Sequence, residues 1–177
     1  MLKYIPLLFF CFLQNSNAQS ISERRVDSSG SILFITKPDT IATGEKYCSV
    51  EGVVLLSQNR FYYGFGFYFT SPATFFMTEK NKIQIRFSDG EFIEDHVYTD
   101  GEFIGEGNEL KIKIQVSDVL LREMKHQPVS SVAFITNSFR HVLPITEMYQ
   151  DKLMKLSSFL LDIDECQENL NDKSEKK

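Results

Sequence analysis

The sequence predicts a mainly β fold of the α+β class, with about eight antiparallel strands, a short helix and a long C-terminal helix packed on the sheet. Short apolar segments recur between turn signals, and the clearest of them alternates apolar and polar residues over 109–117. A long helical stripe follows near the C-terminus. This pattern is compatible with an antiparallel sandwich and equally with a curved sheet or barrel.

The N-terminus has the layout of a secretory signal peptide. Lys3 supplies positive charge, an apolar run covers 5–13, and small residues precede a cleavage site after Ala18. The run is shorter than the roughly 20 residues that a membrane-spanning helix needs. A buried N-terminal strand or an uncleaved anchor is the alternative. We therefore expect residues 1–18 to be removed and the protein to be exported, either to the periplasm or out of the cell.

The remaining chain is expected to form one domain. A polar, Ser-rich leader over 19–31 is predicted to be flexible, and the polar tail over 169–177 is predicted to be disordered. Between them lies a single β-rich domain over 32–168, which includes the C-terminal helix over 146–168. No linker rich in Pro or Gly divides it.

Charge argues against two classes of partner, nucleic acids and anionic membrane surfaces. The formal net charge is −5, and removal of the signal peptide takes Lys3 with it. Nucleic-acid binding needs clustered Lys and Arg to replace phosphate counterions, and the sequence has no such cluster. Beyond the N-terminal run, the sequence has no apolar run long enough to predict a transmembrane helix.

Strand-like segments account for most of the domain. They are rich in β-branched and aromatic residues and are bounded by turn residues. The predicted strands cover 31–36, 47–57, 60–70, 74–79, 82–88, 91–98, 109–117, 131–136 and 139–145. Hairpin turns are predicted at Gln58-Asn59, Asp89-Gly90 and Asn137-Ser138.

Two helices complete the prediction. The short one follows Ser117 or Asp118 as N-cap and ends before Pro128. The long one starts with Thr146 as cap and carries an apolar stripe at helical spacing. Its members are Tyr149, Leu153, Leu156, Leu160, Ile163, Cys166 and Leu170.

The most aromatic strand, RFYYGFGFYFT over 60–70, has two different faces. Side chains alternate along a strand, so the odd positions form an all-aromatic face: Phe61, Tyr63, Phe65, Phe67 and Phe69. In a hairpin with a two-residue turn this face meets the aliphatic face of 47–57, which predicts core. Cross-strand pairs would then join Leu56 to Phe61 and Cys48 to Phe69, with three pairs between them.

The even face is a candidate ligand site. Tyr62 and Tyr68 bracket Gly64 and Gly66. Glycine within a strand marks a bulge, a bend or the close approach of another group. A neighbouring ring, such as that of Phe75 or Phe76, could cover the glycines. The functional alternatives are a shallow aromatic-walled groove for an apolar or sugar-like ligand and the docking of a partner along an exposed strand.

A repeated acidic motif is a weak candidate for a cation site. SDGEFIED and TDGEFIGE lie eleven residues apart. Asp89, Glu91, Asp100 and Glu102 could supply the several oxygen ligands that Ca²⁺ prefers. The spacing does not match an EF-hand, and two turns built from Asp and Gly explain the same residues.

Two cysteines remain after signal cleavage. Cys48 and Cys166 form an even pair in an oxidising compartment, which fits a disulfide and equally two buried thiols. No catalytic, phosphate-binding or zinc-binding motif is present, so the sequence implies no catalytic residue and no cofactor.

The arrangement over 82–161 resembles a loose group of exported bacterial β-rich proteins. A Ser-Asp-Gly turn follows a strand, and an Asp-capped helix, the strand SSVAFIT, a further hairpin strand and a terminal helix come after it. The resemblance implies an exported β-rich domain with a C-terminal helix, and no activity.

These observations predict a non-enzymatic binding module of the bacterial cell envelope. Its partner would be an envelope protein or a small apolar or sugar-like ligand. One alternative is a carrier of a small hydrophobic ligand, since size, strand number and terminal helix resemble the lipocalins. The lipocalin Gly-x-Trp signature is missing, because the chain has no Trp. A weak hydrolase is the other alternative.

Overall fold

The computed structural model of the chain describes residues 20–43, 47–70, 80–96, 101–103 and 109–175, with side chains omitted for 101–103 and beyond 163. These residues form eleven strands, two α-helices and one turn of 3-10 helix. The signal peptide over 1–18 and the predicted strand over 74–79 lie outside the described residues.

The strands occupy both halves of the chain, and the helices follow the ninth and eleventh strands. The strands are β1 (Ile21–Val26), β2 (Ile32–Thr36), β3 (Asp39–Ala42), β4 (Cys48–Ser57), β5 (Arg60–Thr70), β6 (Lys82–Phe87), β7 (Phe92–His96), β8 (Gly101–Phe103), β9 (Glu109–Val116), β10 (Val129–Ile135) and β11 (Arg140–Pro144). The helices are α1 (Asp118–His126), a 3-10 turn (Glu147–Tyr149) and α2 (Gln150–Glu175).

The strands form two antiparallel sheets, which confirms the predicted fold class. The large sheet has the order β1-β2-β4-β5-β9-β8, and β3 pairs with the first half of β4. The small sheet has the order β11-β10-β6-β7. Both sheets are open among the described residues, so the structure is a sandwich with packed helices. The barrel considered from the sequence is not formed by these strands.

The β4–β5 hairpin has the predicted register. Gln58 and Asn59 both have positive φ, 50° and 60°, as a two-residue type I′ turn requires. Ser57 pairs with Arg60, and the pairing continues without a break to Cys48 and Phe69. The odd face of β5 is therefore core, as predicted: Phe65, Phe67 and Phe69 are 1%, 0% and 2% exposed.

Aromatic rings join the two sheets across this core. Phe134 on β10 packs edge-on against Phe67, with 5.5 Å between ring centroids. The same ring stacks on Phe69 at 5.3 Å. Such pairs add roughly 0.5–1.5 kcal/mol each beyond the burial of apolar area. One apolar cluster thus includes residues of both sheets and both helices.

Helix α2 packs directly on the backbone of the large sheet. A Cβ on Gly52 would lie 2.8 Å from a methyl carbon of Leu156 and 2.8 Å from one of Leu160. The predicted stripe is buried at Leu153, Leu156, Leu160 and Ile163. Gly52 lets the helix approach closely, and its N–H donates to Oγ1 of Thr36 at 2.8 Å.

The short helix matches its prediction, whereas the start of the long helix differs. Ser117 Oγ accepts from the Leu120 N–H at 3.1 Å, which makes Ser117 the N-cap of α1. Thr146 precedes the 3-10 turn and makes no side-chain cap bond. The chain therefore enters α2 through a 3-10 turn, and α2 itself begins at Gln150.

The predicted flexible leader over 19–31 contains β1, which is a correction. β1 pairs with β2 from Ile21 to Val26, while most of its side chains are exposed. Backbone hydrogen bonds to a neighbouring strand order this segment, and its polar sequence carries no apolar alternation that could reveal it.

The predicted disordered tail over 169–177 overlaps the end of helix α2, and residues 176–177 lie outside the described residues. Helix α2 continues to Glu175. The segment contains no Gly or Pro that would end a helix. Within the described part of the chain, no helix combines the length and the apolar character needed to cross a membrane.

Truncation of the ring that joins the sheets should be costly. Phe134→Ala is expected to lower the free energy of unfolding by about 3–5 kcal/mol, because it leaves a cavity between Phe67 and Phe69. Chemical denaturation followed by circular dichroism measures this change. Phe92→Ala is the matched control, since Phe92 is 51% exposed, and it should change stability by about 0.5 kcal/mol or less. Equal losses in the two variants would contradict the packing described here.

Candidate ligand-binding site

The outward face of β4, β5 and β9 carries the predicted site residues. The strand register places side chains on this face in rows across the sheet. Ser49 lies opposite Tyr68, which lies opposite Lys111. In the next row Glu51 lies opposite Gly66, and Gly66 lies opposite Lys113.

Gly66 is covered by a carboxylate. A Cβ at this position would lie 2.7 Å from Oε1 and 2.9 Å from Cγ of Glu51. The Glu51 side chain therefore lies across the glycine, and the residue is only 6% exposed. A side chain at position 66 would displace it. The glycine marks close approach of another group, as glycine within a strand commonly does.

Lys111 neutralises the buried carboxylate and also contacts Tyr68. Its Nζ lies 3.2 Å from Glu51 Oε1, and the two side chains are 14% and 8% exposed. The same Nζ donates to the Tyr68 hydroxyl and lies 4.4 Å from the centroid of that ring. A cation over an aromatic face is attracted by roughly 0.5–2 kcal/mol. Glu51, Lys111 and Tyr68 thus form one connected group.

Gly64 is covered by backbone. A Cβ there would lie 2.8 Å from the carbonyl oxygen of Ile114 on β9. The protein itself therefore closes over both glycines, through a side chain at Gly66 and a neighbouring strand at Gly64. Phe75 and Phe76, the rings considered from the sequence, lie outside the described residues.

Tyr68 forms one wall of a cleft of about 330 Å³ at the end of β5. Tyr47, which precedes β4 and is 45% exposed, lines the same cleft. We call it the Tyr68 cleft. Its lining residues are Pro38, Tyr47, Ser49, Tyr68, Phe69, Thr70, Glu109 and Leu110.

Tyr62 lines a second cleft, of about 440 Å³, at the other end of β5. We call this the Tyr62 cleft. Its lining residues are Asn59, Arg60, Phe61, Tyr62, Tyr63, Gln115, Val116, Ser117 and Asp118. Tyr62 and Tyr68 are six positions apart, which is about 20 Å along a strand. The two tyrosines therefore do not wall a single small pocket.

The acidic motif forms a turn at its first repeat. Asp89 Oδ1 accepts from the Glu91 N–H at 2.9 Å, and Gly90 has φ of 95°. Both acidic side chains are exposed. Asp100 and the side chain of Glu102 lie outside the described residues, so the cation site stays a prediction. Among the described side chains, no group of three His, Cys, Asp or Glu could hold a metal ion.

Cys48 lies opposite Phe69 in the hairpin, is buried, and forms no disulfide among the described side chains. Burial raises the pKa of this thiol from 9.0 to about 12. The structure describes only the backbone at Cys166. The disulfide between Cys48 and Cys166 therefore stays a prediction.

Several residues of this face were not singled out from the sequence. They are Tyr47, Ser49, Glu51, Glu109 and Lys111. The alternation of β9 already placed Glu109 and Lys111 on an outward face. The missing information was the pairing of β9 with β5, which joins residues 39 to 53 positions apart in the chain.

The comparisons with known proteins give no relative. No protein-family model matches the chain, and no curated protein or solved structure matches it. The resemblance to exported bacterial β-rich proteins therefore stays a prediction.

Removal of the buried negative charge should destabilise the protein. Glu51→Gln leaves the Lys111 ammonium without its counter-charge where little water reaches it, so we expect a loss of about 2–3 kcal/mol. Adding Lys111→Met should recover more than half of that loss. The control is Asp118→Asn, which breaks an exposed pair with Arg122 and should cost at most about 1 kcal/mol. Urea unfolding measures all four proteins. If Glu51→Gln lost no more stability than Asp118→Asn, the result would contradict a stabilising ion pair between Glu51 and Lys111.

The buried thiol should make stability fall in alkaline solution. A folded-state pKa of about 12 against 9.0 means that the thiol keeps its proton in the folded state and loses it in the unfolded state. The protonated thiol makes its full contribution to the free energy of unfolding below pH 9.0, and this contribution is lost as the pH rises toward about 12. Cys48→Ala should lack this part of the pH dependence. The test is to measure the free energy of unfolding of both proteins at pH 8 and at pH 10.5. An equal change between these two pH values in both proteins would contradict the prediction.

Proposed function

We propose that this chain is an exported, non-enzymatic binding module of the bacterial cell envelope, with a neutral, sugar-like ligand in the Tyr68 cleft. The observation that carries the proposal is the mixed lining of that cleft. Aromatic and apolar walls alternate there with hydroxyl and carboxylate groups. Ligand sites combine apolar walls with a few placed polar groups in this way, and their volumes start at roughly 300 Å³.

The lining matches the two kinds of surface that a sugar presents. Tyr47, Tyr68 and Pro38 offer flat apolar surfaces for the C–H face of a pyranose ring. Ser49 and Thr70 offer hydroxyl groups, which both donate and accept hydrogen bonds. A purely apolar ligand would leave these polar groups without partners, at a cost of about 1–3 kcal/mol for each buried group.

Charge at the cleft favours a neutral ligand. Glu109 brings a carboxylate to the lining, and Lys111 brings an ammonium to the Tyr68 ring. Glu51 already neutralises Lys111. The charge that remains is that of Glu109, which disfavours an anionic ligand. A neutral ligand with many hydroxyls avoids this repulsion and can donate hydrogen bonds to the carboxylate.

The fixed position of Tyr68 supports binding. Its ring is held by Lys111, which Glu51 holds in turn. A side chain that is ordered before binding loses less entropy when the ligand arrives. The group that covers the glycines therefore supports the aromatic wall of the cleft.

The same observations favour binding over the two alternatives. A glycosidase needs two converging carboxylates. Glu109 lies in the cleft, whereas Glu51 on the same face is bound to Lys111. A carrier needs an internal cavity, and rings of Phe67, Phe69 and Phe134 occupy the space between the sheets. The outer cleft is the better-supported ligand site.

Tyr47 should contribute directly to binding. We expect an array of neutral oligosaccharides to give at least one ligand, and Tyr47→Ala to weaken its binding by about 10-fold or more, because aromatic contacts dominate such sites. Titration calorimetry measures the affinities. Phe92→Ala, which removes an exposed ring from the other sheet, is the matched control and should bind normally. Two results would refute the proposal: binding of no array sugar, or full affinity in Tyr47→Ala with an unchanged melting temperature.

Export should be visible in the mature N-terminus. β1 begins at Ile21, shortly after the expected cleavage site at Ala18, so cleavage leaves every described strand intact. Expression of the full chain in a bacterium should give a periplasmic or secreted protein that starts at Gln19. N-terminal sequencing of the cell fractions measures this. An unprocessed chain in the cytoplasmic fraction would exclude the exported state.

A further inference from the structure

We propose that the ligand is a polymer: an extended neutral glycan chain that lies along β5 and occupies the Tyr68 cleft and the Tyr62 cleft together. This inference rests on the proposed sugar-binding function and names the form of the ligand. A single sugar fills one cleft, whereas a chain reaches both.

The two clefts lie on the same face of the same strand. Tyr62 and Tyr68 share the even face of β5 and line one cleft each. Their separation of about 20 Å along the strand requires several linked sugar units. Two sites held at a fixed spacing on one rigid strand suit a ligand with a regular repeat.

The surface between the clefts carries no large side chain on β5. Gly64 and Gly66 occupy the two positions of this face between the tyrosines. Glu51 lies across Gly66 and is almost completely buried there. Beside this strip, Lys113 and Gln115 of β9 are exposed. A glycan that runs between the clefts therefore passes over the Glu51 side chain that covers Gly66 and meets polar side chains along one side.

The Tyr62 cleft has the same chemistry as the first cleft. Tyr62 is 40% exposed and offers an aromatic wall. Asn59, Gln115 and Ser117 supply amide and hydroxyl groups. Arg60 and Asp118 bring one charge of each sign to the lining. A neutral polyhydroxyl ligand fits both ends of the strand for the same physical reasons.

Occupation of both clefts should appear as a dependence of affinity on chain length. Once one end is bound, the other binds at a high effective concentration, and linked sites gain on the order of 100-fold or more. The probes are neutral homo-oligosaccharides of glucose, mannose and N-acetylglucosamine, each from the disaccharide to the hexasaccharide. In a series that binds, we expect the hexasaccharide to bind on the order of 100-fold more tightly than the disaccharide.

Tyr62→Ala tests the second cleft specifically. The ratio of hexasaccharide to disaccharide affinity should fall to near one in Tyr62→Ala and stay unchanged in Phe92→Ala. Thermal unfolding shows whether Tyr62→Ala still folds.

The outcomes separate the two proposals. If disaccharides bind and longer chains bind no better, the polymer proposal is overturned and the sugar-binding function stands. A ratio that Tyr62→Ala leaves unchanged overturns it as well. If no member of any series binds at any length, the proposed function fails and the polymer proposal fails with it.

Discussion

The turn at Gln58-Asn59 fixes the side of the sheet on which each β5 side chain lies, and the rest of the molecule depends on that assignment. Both turn residues have positive φ, and the pairing that follows runs unbroken for ten residue pairs. A slip of one residue would move every side chain of the strand to the opposite face. The rings would then face water, and the glycines and polar residues would face the core.

This alternation lets one strand serve two purposes. The odd face supplies the rings that meet Phe134 and bind the sheets together. The even face supplies two tyrosines at opposite ends and two glycines between them. Glycine in a strand costs roughly 0.5–1 kcal/mol relative to alanine, and a buried ion pair contributes little net stability. The outer face is therefore organised around Glu51, Lys111 and Tyr68 in a way that stability alone does not require.

The fold was largely readable from the sequence because its strongest signals are local. The hairpin register, the aromatic core face and the stripe from Leu153 to Ile163 follow from spacing within short segments. The sequence did not predict β1, β3 or β8, because β1 is mostly polar and β3 and β8 have four and three residues. Their order comes from backbone pairing with β2, β4 and β9, which periodicity does not encode.

The candidate site was readable only in part, because it depends on long-range pairing. Tyr62, Gly64, Gly66 and Tyr68 were found from β5 alone. Lys111 comes from β9 and Pro38 from the β2–β3 connection. The hairpin register places Glu51 opposite Gly66, but the sequence predicted neither that Glu51 covers the glycine nor that it pairs with Lys111. These are tertiary contacts between residues far apart in the chain.

The most direct test of the account is to map binding on the two faces of the hairpin. Amide chemical shifts recorded during titration with a neutral hexasaccharide report each residue separately. Since the account assigns binding to the outer face, the largest changes should occur at Tyr47, Tyr68, Lys111 and Tyr62, with Phe67 and Phe134 unaffected. Large changes at Phe67 and Phe134, between the sheets, with none at the tyrosines would contradict it.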